Sequence, residues 1–322
     1  MSLTEGTAAF ADKNAGANKI VTFSGYSLEG ADADNYSLSQ PGSVTADIEF
    51  VSMVHIPGGT FEIGKDLGTA ATGDETNWHS VTLTGGFYIG RYQVTQAQYQ
   101  AVMGSLPSSL DNSYGKGNNY PVYYVSWYDA LVFCNKLSVM EGLSPAYKIS
   151  GSANPADWGD VPESSDSTWD AAEIAVDSTG YRLPTEAQWE YAAKGGNPLA
   201  PGWVGYTYSG SDTVDDVAWY SGNNGSFGTS AYGSKVIGTK APNGLGIYDM
   251  SGNVYEWCWD WYEEYASEDL NDPTGAVSGS CRVIRGGLWG HLAEDVRSSY
   301  RSYFSTFDGY FYCGFRLARP GE

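Results

Sequence analysis

Helix-start signals stand at three places in this chain, and each is followed one to four turns later by a glycine. Thr95 with Gln98, Ser126 with Asp129 and Thr185 with Gln188 each pair an N-cap hydroxyl with a polar acceptor three residues on, the arrangement that satisfies the first orphan amides of a helix. Gly104, Gly142 and Gly195 then supply left-handed stops. Elsewhere only short strands and turns are visible, with runs from Phe50 to Ile56 and Val81 to Ile89 around the Pro57-Gly58-Gly59 turn. With 41 Gly, 25 Tyr and 11 Trp in 322 residues, the rest is read as ordered loop held by aromatic packing.

Residues 1–48 are small, polar and acidic, with alternating stretches such as Lys19 to Phe23 and Val44 to Ile48. They read as a short β-rich segment too small for a robust core of its own, followed by a second domain over 49–322. Inside that domain the acidic, Ser-rich stretch from Ser150 to Gly180 reads as an inserted excursion with little regular structure. No apolar run approaches the roughly 20 residues of a membrane helix. The start, Met1-Ser2-Leu3-Thr4-Glu5, is neither basic nor apolar, which leaves room for a signal or lipid anchor in a full-length precursor.

Lys and Arg number 17 against 38 Asp and Glu, a formal charge of -21 that disfavours nucleic acid as a partner. The last segment differs: Arg282, Arg285, Arg297, Arg301, Arg316 and Arg319 face only Glu294, Asp295, Asp308 and Glu322. Cys134, Cys258, Cys281 and Cys313 form no CxxC, and His55, His79 and His291 are scattered, which argues against a Cys/His zinc site. A Cys258–Cys281 disulfide stays open on sequence grounds.

Several runs add up: Ile56 to Phe61 (IPGGTF), Tyr181 to Ala193 (YRLPTEAQWEYAA), Pro242 to Trp257 (PNGLGIYDMSGNVYEW), Arg285-Gly286-Gly287, and Gly314 to Ala318 (GFRLA). In this order they closely resemble the formylglycine-generating, sulfatase-modifying (FGE-sulfatase) family over about residues 51–319. The resemblance implies an α+β chain with a C-type lectin fold: few helices, small antiparallel sheets and extensive ordered loops. Upstream, Ser24 to Tyr36 resembles the end of YDG-type repeats of bacterial surface adhesins.

Enzymes of that family oxidise a substrate cysteine with two cysteines of their own, just after Arg-Gly-Gly and five residues apart. At the matching positions this chain has His291 and Val296, so the resemblance carries no catalytic residue over. His291 with Asp295 has ligand-like residue types, but no third ligand or nucleophile accompanies them. The motif Asp249, Gly252, Val254, Glu256 resembles a family calcium loop, which would make a structural calcium the one inorganic candidate and no other cofactor required. The alternative is that Asp249 and Glu256 bond turn amides.

From Leu288 to Cys313 there is no Lys, Gln, Met, Asn, Ile or Pro, and Tyr300 to Phe315 holds eight aromatics without a period of 2.0 or 3.6. Aromatics mixed with Ser, Gly and Asp suit an outward binding surface; a buried loop cluster is the competing reading. The frame Arg282, Arg285-Gly286-Gly287, Trp289, Arg297, Arg301 and Gly314 to Ala318 is similar to the variable region, here about 284–313, of proteins diversified by bacterial retroelements. Template adenines are randomised in that family, so variable positions draw on residues of NNC or NNT codons. Only Trp289 and Glu294 depart from that palette here. The expected ligand face is Leu288, Gly290, His291, Leu292, Asp295, Val296, Tyr300, Ser302, Tyr303, Phe304, Ser305, Phe307, Asp308, Tyr310, Phe311 and Tyr312, with the frame arginines bracing the loops. These resemblances imply a non-catalytic binder of an unidentified ligand, expected to be a protein, at the cell surface or in an extracellular or periplasmic space. The alternatives are an oxidase-type enzyme with an atypical site and a fixed adhesin module.

Overall fold

The computed structural model describes residues 2–10, 16–31, 33, 37–48, 50–70, 75 and 77–321. It divides into two units, Met1–Ser52 and Met53–Glu322. The first contains β1 (Ser2–Thr4), β2 (Thr7–Phe10), β3 (Gly16–Ser24), β4 (Ser27–Glu29) and β5 (Val44–Ile48), with β1 paired to β4 and a three-stranded antiparallel sheet in the order β2-β3-β5. In this small unit Val21 is buried. Of the adhesin-like stretch from Ser24 to Tyr36, residues 32 and 34–36 lie outside the described residues.

In the second unit β6 (Met53–Ile56) turns at Pro57-Gly58 into β7 (Gly59–Ile63). The run from Val81 to Ile89 is two strands, β8 (His79–Leu83) and β9 (Phe87–Gly90). All three capping boxes form: α1 (Gln96–Met103), α2 (Trp127–Met140) and a third helix, Glu186–Ala193, start at Thr95, Ser126 and Thr185. The amides of Gln98, Asp129 and Gln188 donate to those hydroxyls at 3.2, 3.0 and 3.2 Å. Gly104, Gly142 and Gly195 follow at φ 93°, 71° and 84°.

The stretch 150–180 is more regular than its composition suggests. It holds a 3-10 turn capped by Asn154 and α3 (Ser167–Asp170) capped by Asp166, and its strand β11 (Glu173–Ile174) pairs with β10 (Tyr147–Lys148). The physical reason is aromatic burial: Trp158 and Trp169 are buried with ring centroids 5.8 Å apart, which pins the excursion to the body. The helix starting at Thr185 is α4 (Glu186–Ala193), and α5 (Val214–Val217) follows. The remaining strands are β12 (Ala218–Trp219), β13 (Ser251–Gly252), β14 (Tyr255–Trp261), β15 (Leu270–Asn271), β16 (Arg282–Arg285), β17 (Arg301–Phe304), β18 (Cys313–Phe315) and β19 (Ala318–Pro320).

The four-stranded sheet has the order β17-β16-β14-β18, with β14 buried along its whole length. β16 runs antiparallel to β14 and β17, and β18 runs parallel to β14. Strands β17 and β18 therefore point the same way at opposite edges, and the segment 305–312 that joins them is a crossover. Helix α4 packs on β7, β8, β14 and β16, where Trp189, Tyr191, Ile56, Phe61, Val81, Met250 and Val283 form one cluster. The four cysteines are free, and Cys134, Cys258 and Cys313 are buried, so the Cys258–Cys281 bridge is not present.

Candidate ligand-binding face

The face rests on a frame of buried charge. Glu186 and Glu190 lie one helical turn apart on α4, and Arg285 and Arg301 lie opposite each other in the β16–β17 register. Arg301 grips Glu186 through two bonds of 2.8 and 2.6 Å, and Arg285 pairs with Glu190 and donates to the Ser299 carbonyl at 2.7 Å. Arg297 pairs with Asp66, and Arg282 lies flat between Trp127 and Trp261, 3.8 and 3.5 Å from their centroids. Gly286 and Gly287 let the chain turn at this point: both have positive φ, and a Cβ on Gly287 would sit 2.4 Å from the Asp295 carbonyl oxygen.

In the calcium-type motif the carboxylates are engaged by groups of the protein itself. Both Glu256 carboxylate oxygens accept from Arg316, at 2.9 and 2.8 Å, while Trp189 Nε1 and Gln93 Nε2 add further bonds at 2.6 and 2.9 Å. A guanidinium thus holds the place a cation would need, and the Val254 carbonyl is also taken by Gln93. Asp249 accepts from the Gly238 amide at 2.7 Å, and burial lifts its carboxyl to about 6. Gly252 lies in β13, its amide donating to Gly286 O at 2.7 Å. Among the described residues no group of three or more His, Cys, Asp or Glu is arranged to hold a metal.

Over the outer side of the sheet the aromatic side chains touch one another. Phe304 lies 5.9 Å from Tyr255, 6.2 Å from Trp257, 4.1 Å from Tyr310 and 5.5 Å from Tyr312, so the crossover 305–312 passes over the sheet face that carries Tyr255 and Trp257. Its backbone is fastened independently of its side chains: the Trp127 amide donates to Thr306 O (3.0 Å), Tyr124 to Tyr310 O (2.9 Å) and Tyr255 to Tyr312 O (2.9 Å).

Leu292 and Tyr303 are exposed, at 59% and 49%. Gly290, His291, Asp295, Tyr300, Ser302, Phe304, Ser305, Phe307, Asp308, Tyr310, Phe311 and Tyr312 are half-buried. Leu288 and Val296 are not part of a surface: they are 7% and 0% exposed, and Val296 packs with Tyr208, Val217 and Ala218. The frame's need for apolar volume under the loop decides these two positions. Four aromatics from outside the segment join the face without any local sequence signal: Tyr114, Tyr124, Phe227 and Tyr232. Tyr114 stacks on Phe311 at 4.6 Å and meets Tyr232 at 6.2 Å, and Tyr232 meets Phe227 at 5.5 Å.

His291, at the first cysteine-equivalent position, has its Nδ1 3.4 Å from the Tyr255 hydroxyl, and burial lowers its pKa against the pull of Asp295. The thiols of Cys134, Cys258 and Cys313 are pushed up by burial, the opposite of what a redox nucleophile needs. The arrangement offers contact area and hydrogen-bonding rims.

The sulfatase-modifying factor enzyme 1-like domain matches residues 40–320, and the YDG domain matches residues 1–45. The chain belongs to the sulfatase-modifying factor enzyme 1-like family. Its fold is the α+β, C-type lectin type of that family. Among solved structures it is similar to Treponema denticola variable protein 1, with 34% identity and a TM-score of 0.69, covering 84% of this chain and 95% of that one. Among family relatives, the chaperone protein LppX of Paenibacillus barcinonensis is 36% identical, over 80% of this chain and 84% of its own. The formylglycine-generating enzyme of Streptomyces coelicolor is 28% identical, over 78% and 82%. The chain thus shares its scaffold with proteins named both as enzymes and as variable proteins. Among the described residues no helix is long and apolar enough to cross a membrane.

Proposed function

We propose that this protein is a non-catalytic binder whose segment 284–313, diversified by a retroelement, displays an aromatic-rich ligand face on the family scaffold. The observation that carries the reading is the sorting of that segment: arginines spent inward on carboxylates, aromatics gathered outward on a backbone-fastened crossover. His291 and Val296 at the cysteine-equivalent positions, and the likeness to a protein named as variable, support it. The ligand is a protein, the setting the cell surface or an extracellular or periplasmic space, and residues 1–48 serve as an adhesin-type repeat; a lipid anchor in the precursor would fit that setting. Sequencing the 3′ end of the gene across many cells of one population tests the reading. Diversity confined to codons 288–313, with a nearby template differing only at adenines, is the expected result. An invariant tail without a template sinks it in favour of a fixed adhesin module.

A second reading is an oxidase-type enzyme with an atypical site, favoured by relatives named formylglycine-generating enzyme. Copper-dependent oxidation of a cysteine peptide by the purified protein would establish it.

A further inference from the structure

The aromatic surface does not stop where the variable segment stops. From Phe227 it runs ring to ring through Tyr232 (5.5 Å), Tyr114 (6.2 Å), Phe311 (4.6 Å) and Tyr312 (4.5 Å), beneath which Tyr255 is buried in the sheet. The first three rings come from loops 111–124 and 220–235, outside the diversified stretch. Loop 220–235 is tied to that stretch by main chain: Asn224 Nδ2 donates to Trp289 O at 3.0 Å, and the Ser221 amide to His291 O at 2.9 Å. At its tip Phe227 is 79% exposed, a large ring offered to solvent beside its aromatic neighbours.

Within the segment, the charges left without an ion pair among the described residues are acidic. Arg285, Arg297 and Arg301, the arginines of the segment, are committed to Glu190, Asp66 and Glu186. Lys235 is held by Asn224, Gly233 O and Ala231 O at 2.5, 2.6 and 2.9 Å, and the exposed Lys116 lies beside Asp111. Glu294, Asp295 and Asp308 have no ion pair among the described residues; Asp295 accepts from the Leu292 amide and Asp308 from Tyr310. Aromatic faces rimmed by carboxylates attract ammonium and guanidinium groups. This chain already uses that pairing internally, with Arg301 3.9 Å from the Tyr265 centroid and Lys240 4.5 Å from that of Trp219. A path of five rings is longer than one small cation could cover.

We infer that the ligand face extends onto loops 111–124 and 220–235, and that the whole face takes a Lys- or Arg-bearing segment of a partner protein. The fixed rings Phe227, Tyr232 and Tyr114 supply one half of the grip whatever the variable half becomes, and Asp308, Asp295 and Glu294 pair with the partner's cations. The inference rests on the binding function proposed above.

The test is to pan the full chain against a displayed library of random linear peptides, then measure the enriched peptides against four variants. Phe227→Ala and Asp308→Asn probe the fixed ring and the acidic rim, Tyr310→Ser the variable half, and Glu163→Gln is an exposed acid in the 150–180 excursion. The expected result is enrichment of Lys- or Arg-bearing peptides, with binding reduced about tenfold or more by Phe227→Ala and by Asp308→Asn and unchanged by Glu163→Gln. If Tyr310→Ser weakens binding while Phe227→Ala does not, the fixed half is overturned and the binding function stands. Enrichment of neutral or acidic peptides overturns the cationic partner. No enrichment, or binding indifferent to all three face variants, overturns the inference together with the function it rests on.

Discussion

Arg285, Arg301 and Arg316 come from the same short stretch of chain as Tyr303, Phe307 and Tyr310, yet the two groups meet opposite fates. The arginines point inward, each onto its own carboxylate on α4 or β14, with little room for another residue. The aromatics lie outward and touch chiefly one another or the rim. Fold information is therefore concentrated in the first group and contact chemistry in the second, and a change of residue should be felt very differently in the two.

The hardest blow to that contrast is Glu190→Ala. It strips the partner from Arg285 and from Lys194, 2.6 Å away, and frees the Gly64 amide, all in the interior. Leaving buried cations unpaired is expected to cost about 3–5 kcal/mol, read by urea denaturation; a loss under 1 kcal/mol would mean the frame is not what holds the face. Next is Asp260, buried where α4 begins, with its carboxylate accepting the Glu186 amide at 2.8 Å. Burial and the neighbouring Glu186 charge raise its pKa from 3.8 to about 7. Because the folded state holds the proton more tightly than the unfolded one, the stability this group lends is present below pH 4 and is lost as pH rises through 7. Asp260→Asn should accordingly be near neutral at pH 4 and stabilising by about 2–3 kcal/mol at pH 8, seen as a widening gap in thermal midpoints. An equal effect at both values would place the titration elsewhere.

Within the segment, Val296 and Leu292 sharpen the contrast. Val296→Ala opens a cavity against Tyr208 and Val217 and should cost about 2 kcal/mol, whereas Leu292→Ala should stay within about 0.5 kcal/mol. Tyr310→Ser should also be small, under about 1 kcal/mol of stability, since its ring packs on Phe304 and Tyr312 at the surface. Thermal melts of the pair and of Tyr310→Ser would show whether frame and face separate as cleanly in energy as they do in space.

What was legible in the sequence was local. The caps at Thr95, Ser126 and Thr185 and their glycine stops need only residues a turn apart, and they form as read. The arginines' role as braces followed from the family frame that the resemblance supplied, and Arg282, Arg285 and Arg301 bond inward as that frame implied. The order β17-β16-β14-β18 was not, because strands of three to seven residues pair across long separations and leave no local trace. For the same reason the face lacked Tyr114 and Tyr232, which reach Phe311 only after folding. Leu288 and Val296 were misplaced because an apolar residue in a loop carries no mark of which way it points. The excursion at 150–180 did carry marks, Asn154 before Pro155 and Asp166 before Ser167, which its acidic, Ser-rich composition obscured.

The crossover between β17 and β18 has a consequence for how such a protein can change. Both of its ends are sewn into one sheet, about 14 Å apart at the usual strand spacing, and its middle is stitched to the Tyr124 and Trp127 amides. Those attachments read the number of residues and are blind to their identity. A lineage or an engineer can therefore rewrite much of this segment while keeping its count, except at Gly309, where a Cβ would sit 2.7 Å from the Tyr124 carbonyl oxygen, and at the buried Thr306, bonded to the Tyr128 hydroxyl. One inserted residue would shift Cys313 and Phe315 out of step with Tyr255 and Trp257, pull Arg316 away from Glu256 and unpick the scaffold itself.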